Sequence, residues 1–140
     1  MTAYPYECTE QLAPRGIALL SIVNMIYSNS NEAVDRMITS HIIQIYQKQR
    51  SDGGFAAWPE NPDSQSWISS MAGHFMILAQ QSGYTVSKGV IASWSRYQKN
   101  GVQIYRNTNS MHVSGLDQFY RLFTRALRYY SQNGDQSSLK

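Results

Sequence analysis

The sequence is poor in the features that assign a protein to a class by composition. It has one cysteine in 140 residues, so no internal disulfide can form. No apolar run approaches the roughly 18 residues of a membrane span, and the opening stretch MTAYPYECTE lacks a signal-peptide hydrophobic region. Charged residues are 15%, the net charge is +3, and no Lys/Arg run is present. We therefore expect no nucleic-acid partner, and a single globular domain over residues 1–140 without an internal boundary.

Helical periodicity is present along nearly the whole chain. Apolar residues recur at helical spacing in five segments, which predicts an all-α fold. Residues that favour a helix start precede or open three of the segments: Pro14, Asn31, and Asp63 or Ser64. Glycines that favour a helix end close three of them: Gly83, Gly101 after Asn100, and Gly134 after Asn133. The second helix is expected to run to about Gln49.

A weak internal repeat concerns how these helices are arranged. IYQKQRSDGGF at 45–55 resembles RYQKNGVQIY at 96–105, and the two Tyr-Gln-Lys triplets lie 51 residues apart. A repeated helical pair cannot bury its own apolar face, so it predicts stacked antiparallel hairpins in a solenoid or an α/α toroid. An ordinary helical bundle with a chance triplet match remains the alternative.

The stretch YPYECTEQ places the cysteine, Cys8, three residues before the side-chain amide of Gln11. A thiolate at this spacing can displace ammonia from the amide and form an internal thioester. The positive end of the helix that follows favours the thiolate. Tyr4 and Tyr6 are aromatic neighbours that can shield such a bond from water. The alternative is a buried free cysteine that behaves as a small apolar residue.

YPYECTEQ resembles the thioester motif of the alpha-2-macroglobulin family, especially its bacterial members. The likeness continues with Arg15, with SDGGFAAWPENPDSQSWISSMAGHFMILAQQSGY at 51–84, and with LDQFYRLFTRALRY at 116–129. It thus covers nearly the whole chain in order. The family fold is an α/α toroid of inner and outer helices, so the resemblance implies a partial thioester domain over residues 1–140.

The resemblance also implies a function. Cys8 would be the thioester sulfur and Gln11 the acyl donor, with Tyr4, Tyr6 and Glu10 supporting the motif. Family proteins are cut by a protease, rearrange, and acylate the attacker, commonly at a lysine. The implied role is covalent protease capture in one turnover, outside the cytoplasm, with proteases as partners. It is not enzyme catalysis, and no cofactor is implied.

Two departures from the family pattern lead to further expectations. Glu7 replaces the usual glycine before the cysteine, and five helices are fewer than the family toroid has. We therefore expect the N-terminal part of the domain, with Cys8 a free thiol and Gln11 an unmodified side chain when this chain stands alone. We also expect self-association through apolar faces at 17–26 or 116–127.

The sequence indicates less specific roles for the histidines and for three arginines. His112 lies 104 residues after Cys8, where complement-type relatives use a histidine to assist acyl transfer, but its local sequence does not match theirs. His41 and His74 are expected to be structural, and the three histidines show no metal-ligand spacing. The stripe at positions 121, 125 and 128 is expected to be solvated.

Two other functions remain as alternatives. QKQRSDGGFAAW at 47–58 is similar to the repeats of triterpene cyclases, which are also α/α toroids. The chain has only nine Asp and Glu residues and no D-x-D-D acid motif, which argues against a cyclase. The other alternative is a non-covalent helical scaffold in which Cys8 is inert.

Overall fold

The computed structural model describes residues 7–26, 31–108 and 115–137, and this part of the chain is all-α. The five helices, in chain order, are α1 (Thr9–Ile26), α2 (Glu32–Tyr46), α3 (Ser66–Gln81), α4 (Lys88–Thr108) and α5 (Gly115–Ser137). The β-pairing in the described residues is one isolated bridge between Gln49 and Phe55. The predicted fold class is confirmed, whereas the toroidal arrangement stays a prediction.

Helix α3 lies at the centre and contacts the other four helices. Its sequence explains this position, because small residues such as Ser69, Ala72 and Gly73 alternate with Phe75 and Met76, and all are buried. Side chains from every other part of the core pack around it, including Leu12, Ile38, Ile45, Phe55, Ile91 and Trp94. Burying each large apolar side chain contributes about 1.5–3 kcal/mol, so this cluster provides most of the driving force for folding.

Helix α1 begins earlier than the sequence predicts. Pro14 was expected in the first turn, but the helix starts at Thr9 and Pro14 lies in its second turn. The Cys8 carbonyl accepts the first helical hydrogen bonds, from the N–H groups of Gln11 and Leu12 at 3.0 Å each. Pro14 is exposed and removes one backbone donor, and this loss is offset because the earlier turn buries Leu12 completely.

Local chemistry sets the start of α2 and the end of α3 as the sequence predicts. The Asn31 side chain caps α2 by accepting from the N–H groups of Ala33 and Val34, as predicted. Gly83 ends α3 with φ +96°, and the N–H of Tyr84 reaches back to the Ala79 carbonyl at 3.0 Å, also as predicted.

The predicted start of α3 is wrong. The N-cap is Gln65, which makes no side-chain capping bond, rather than Asp63 or Ser64. The Ser64 hydroxyl instead donates to the Asp52 carboxylate at 2.5 Å, so it stabilises the preceding loop and not the helix end.

Helices α4 and α5 continue through the Asn-Gly pairs that were expected to end them. The predicted ends at Gly101 and Gly134 are wrong, since the helices run on to Thr108 and Ser137. At Gly101 the reason is packing: a Cβ atom there would lie 0.8 Å from Nη1 of Arg121. The glycine leaves room for the buried Arg121 guanidinium between α4 and α5.

The same contact overturns the expectation of a solvated arginine stripe. Arg121 is only 4% exposed. Its Nη2 donates to the Ser66 hydroxyl at 2.5 Å, and its guanidinium carbon lies 5.3 Å from the centroid of the Tyr97 ring. Arg125 and Arg128 are partly buried. The stripe is therefore part of the packing between helices, and its first member is within the core.

The two Tyr-Gln-Lys triplets differ in local structure. In the first, Tyr46 is the last residue of α2 and Lys48 follows the helix end, whereas the second lies in the middle of α4. Lys48 is buried and Lys99 is exposed. The triplet match therefore does not mark equivalent positions of a repeated unit.

Candidate functional site

Cys8 and Gln11 lie together at the start of α1. Cys8 is the residue before the first helical position, and Gln11 is the third residue of the helix. The Gln11 Oε1 atom accepts from the Cys8 backbone N–H at 3.4 Å, while the Cys8 carbonyl accepts from the Gln11 N–H at 3.0 Å. This reciprocal pattern resembles a capping box, in which the side chain at the third position reaches back to the cap. The two predicted thioester residues are thus paired by helix geometry.

The two residues differ in their access to solvent. Cys8 is 8% exposed, and Gln11 is exposed. The sulfur-bearing residue is therefore largely covered by protein, while the residue that would supply the acyl carbon lies at the surface. Glu10, which the sequence predicts to support the motif, is also exposed. Tyr4, Tyr6 and His112 lie outside the described residues.

Thr9 fixes the position of Cys8 relative to the rest of the fold. It is fully buried, and its hydroxyl donates to the Ala56 carbonyl at 2.8 Å. Its backbone N–H donates to the Ala57 carbonyl at 2.9 Å. Two hydrogen bonds thus hold the loop that follows α2 against the first turn of α1, next to Cys8.

A buried lysine lies next to this segment. Lys48 is 2% exposed, and its Nζ donates to the Glu7 backbone carbonyl at 2.5 Å. Burial lowers the pKa of Lys48, while the charges of a Cys8 thiolate and of Glu7 raise it. Lysine is rarely buried without a partner, so a buried lysine bonded to the residue before the cysteine is an informative feature of the site.

Glu7, the residue that departs from the family pattern, has its charge matched. Its carboxylate accepts from Arg15 at 2.5 Å across the first turns of α1. Both side chains are partly exposed, so the pair stabilises the fold by about 1 kcal/mol or less. The extra negative charge therefore has a local partner. Whether a thioester survives beside it stays a prediction.

His41 belongs to the same electrostatic neighbourhood. It lies on the buried face of α2, is 5% exposed, and neither ring nitrogen has a hydrogen-bond partner among the described residues. Burial lowers its pKa; Glu7 opposes this shift, and the positive charges of Arg15 and Lys48 add to it. Burial of this kind agrees with the structural role that the sequence predicts.

His74 lies elsewhere, between α3 and α5. Its Nδ1 is 2.9 Å from the Tyr120 hydroxyl, and its ring meets Phe123 edge-on at 5.4 Å between centroids. Burial lowers the pKa of His74 and raises that of Tyr120 to about 12. The contact with Tyr120 fits the structural role expected for His74, and the side chain is half-buried.

Sequence reasoning identified Cys8 and Gln11 but missed Thr9 and Lys48. A signal for Lys48 was present, because the buried face of α2 recurs every three or four residues. Its members are Ile38, His41, Ile42 and Ile45. The next position in this series is 48, so a lysine falls where an apolar residue is expected. No comparable signal marks Thr9, whose partners come from a distant loop.

Comparison with known proteins places this geometry in context. No family model matches the chain. The alpha-2-macroglobulin of Escherichia coli strain K12 is 32% identical over 65% of the chain, and that of Rickettsia conorii is 33% identical over 52%. The chain is similar to alpha-2-macroglobulins. It spans only 6% and 4% of the lengths of these two relatives.

A solved structure gives the same result at the level of the fold. A crystal structure of native alpha-2-macroglobulin from Escherichia coli, spanning an internal domain to the C-terminus, matches with a TM-score of 0.68. The sequences are 25% identical, and the match covers 90% of this chain and 22% of the crystallised one. The described helices therefore have a counterpart in the C-terminal region of an alpha-2-macroglobulin.

In the described part of the chain, none of the helices is both long and apolar enough to cross a membrane.

Proposed function

We propose that this chain is the thioester-bearing part of a protease inhibitor similar to the alpha-2-macroglobulins. Cys8 supplies the sulfur and Gln11 the acyl group of an internal thioester, which captures an attacking protease covalently. The capture is a single turnover and not catalysis. The protein acts outside the cytoplasm, where it meets foreign proteases.

The pairing of Cys8 and Gln11 at one helix start carries this proposal. The Gln11 side-chain oxygen accepts from the Cys8 backbone N–H at 3.4 Å, so the Gln11 side chain folds back over the residue that bears the thiol. The sulfur attacks the Gln11 side-chain carbon, the C–N bond breaks, and ammonia leaves with the proton of the thiol. In capture, an amine attacks the same carbon, the C–S bond breaks, and the proton lost by the amine returns to sulfur.

The first test is the intact mass of the full-length native protein. A thioester makes the protein lighter than its sequence by one ammonia. Methylamine should then add its own mass and release one thiol that reacts with iodoacetamide. A native mass equal to that of the sequence, unchanged by methylamine, would show that no thioester forms.

The second test identifies the residues, using protease challenge followed by a denaturing gel. Cys8→Ala and Gln11→Ala should each abolish covalent conjugates, because either change removes half of the bond. Gln80→Ala, at an exposed glutamine in α3, is the matched control and should leave capture intact. His112→Ala should also capture normally, since an amine attacks a thioester without a histidine relay.

The outcomes distinguish the remaining readings, provided that proteolytic cleavage is verified in every variant. Conjugates in the Cys8→Ala protein would favour a scaffold with an inert cysteine. Loss of conjugates in His112→Ala would indicate a complement-like transfer through that histidine.

A further inference from the structure

Lys48 lies just after the end of α2, where the spacing of that helix's buried face would next place an apolar residue. It continues the buried face of α2, and it is 2% exposed. Placing an ammonium group in such a position opposes folding unless the charge has partners. The Glu7 carbonyl accepts one of its three N–H donors. A neutral carbonyl offsets only part of the free energy lost when the ammonium group leaves water. A lysine is therefore an unfavourable choice if its only role is to link two segments of the chain.

The position of Lys48 is fixed relative to Cys8 from two directions. Its side chain reaches residue 7, which precedes the cysteine. Its backbone carbonyl accepts from the Ala56 N–H at 3.0 Å, and the Ala56 carbonyl accepts from Thr9, the residue that follows the cysteine. The lysine is thus joined to the residues on both sides of Cys8. These hydrogen bonds hold the lysine against the two residues that flank the sulfur-bearing residue.

We propose that Lys48 stabilises the negative charge on the Cys8 sulfur, both when the thioester forms and when it is opened. The role in the thioester cycle rests on the proposed function, whereas the pairing of the cation with the thiolate does not. Lys48 acts in both steps as a positioning and charge-stabilising residue.

The chemistry of each step places negative charge on sulfur. During formation the thiolate is the nucleophile that attacks the Gln11 carbon, and ammonia leaves. During capture the C–S bond breaks, and its electron pair returns to the sulfur as the thiolate. A nearby opposite charge favours the charged form of a group. Lys48 therefore favours the reactive form before acylation and the leaving group during capture.

The direct test uses the 140-residue chain, because its one cysteine makes iodoacetamide report on Cys8 alone. Lys48→Gln removes the charge and keeps a donor for the Glu7 carbonyl, while Lys48→Met removes both. We expect the pH of half-maximal alkylation to rise by at least about one unit in Lys48→Gln. Lys48→Arg, which keeps the charge, should remain near the wild type. Lys99→Met, at the exposed lysine of the other Tyr-Gln-Lys triplet, is the matched control.

The outcomes are decisive for the pairing even if one variant folds poorly. Circular dichroism identifies folded variants, and the comparison of Lys48→Gln with Lys48→Arg does not depend on Lys48→Met. A pH profile that is the same in folded Lys48→Gln and the wild type would overturn the proposal. A shift of equal size in Lys99→Met would do so as well, because the effect would then be one of net charge.

A second measurement separates this proposal from the proposed function. In the full-length protein, Lys48→Gln should slow thiol release by methylamine about tenfold, the rate equivalent of one pH unit. If the wild type contains no thioester by mass, the proposed function fails, and the alkylation profile still decides the pairing. If the thioester is present but the alkylation profile and release rate are unchanged, the role of Lys48 fails and the function stands.

Discussion

At the scale of single residues, the start of α1 concentrates opposite charges in a small region. Glu7 pairs with Arg15 through its carboxylate and with Lys48 through its carbonyl. His41 is buried within reach of all three charges, and burial together with the two cations opposes its protonation. The neutral imidazole is therefore the form that the folded chain accommodates, which makes the site sensitive to acid.

This gives a prediction about pH. The pKa of His41 is lowered in the folded chain. As the pH drops below the ordinary value of about 6.5, the unfolded chain therefore binds more protons than the folded chain, and the free energy of unfolding decreases. We expect the free energy of unfolding in urea to be lower at about pH 5 than at about pH 7.5. His41→Leu, which removes the titrating group from the buried face, should reduce this loss.

His74→Leu provides the comparison, because burial also lowers the pKa of His74, far from Cys8. Each variant should remove part of the acid sensitivity, and the double variant should remove more than either. An undiminished loss of stability in His41→Leu would mean that His41 does not titrate as burial requires.

At the scale of helices, local chemistry was predictable and packing was not. Asn31 and Gly83 were found from sequence because each acts on backbone groups a few residues away. Cys8 and Gln11 were predicted from their spacing and from the resemblance of YPYECTEQ to a known motif, although the helix was expected to begin after them. Gly101 was misread, because its role is to admit Arg121 from another helix. No rule of local spacing reports such a contact.

Another glycine in a helix gives a quantitative prediction. A Cβ at Gly73 would lie 2.0 Å from ring atoms of Trp94, which is 1% exposed and donates its indole N–H to the Ser69 carbonyl. Gly73→Ala should therefore lower the free energy of unfolding by about 1–3 kcal/mol through overpacking. Chemical denaturation monitored by Trp fluorescence measures the change.

Gly89→Ala is the matched control, because it makes the same chemical change in another helix. A Cβ there meets nothing closer than the Ser87 hydroxyl at 3.8 Å. Helix propensity then acts alone and should stabilise the chain by up to about 1 kcal/mol. If both variants change stability by the same amount and sign, the close packing of α3 against α4 is not what determines the effect.

At the scale of the whole molecule, α1 and α5 carry most of the exposed large apolar side chains in the described part of the chain. On α1, Ile22 is 47% and Met25 is 85% exposed. On α5 the large apolar residues that are at least 43% exposed are Leu116, Phe119, Leu122, Phe123, Tyr129 and Tyr130. Most of these residues lie within 17–26 and 116–127, the segments through which the sequence predicts association. Exposed large apolar side chains, such as Phe119, Leu122 and Phe123 at helical spacing on α5, favour association with a partner.

We therefore expect the 140-residue chain to self-associate. Its sedimentation coefficient should increase with protein concentration, and Phe119→Ser combined with Leu122→Ser should reduce that increase. Both side chains are exposed, so the unfolding free energy should change little. Ile43→Ser, at a residue of α2 that is 51% exposed, is the control. A monomer at every concentration would contradict the prediction, as would an equal effect of Ile43→Ser.

The links between Lys48 and the residues flanking Cys8 have an entropic consequence. A lysine side chain loses up to about 2 kcal/mol of rotamer freedom when it is ordered, and on a surface this loss accompanies each ion pair that forms. Here the stem is already ordered by burial and by the Glu7 carbonyl. Stabilising a charge that develops on the sulfur therefore requires little further loss of lysine rotamer entropy, and the side chain does not have to rearrange.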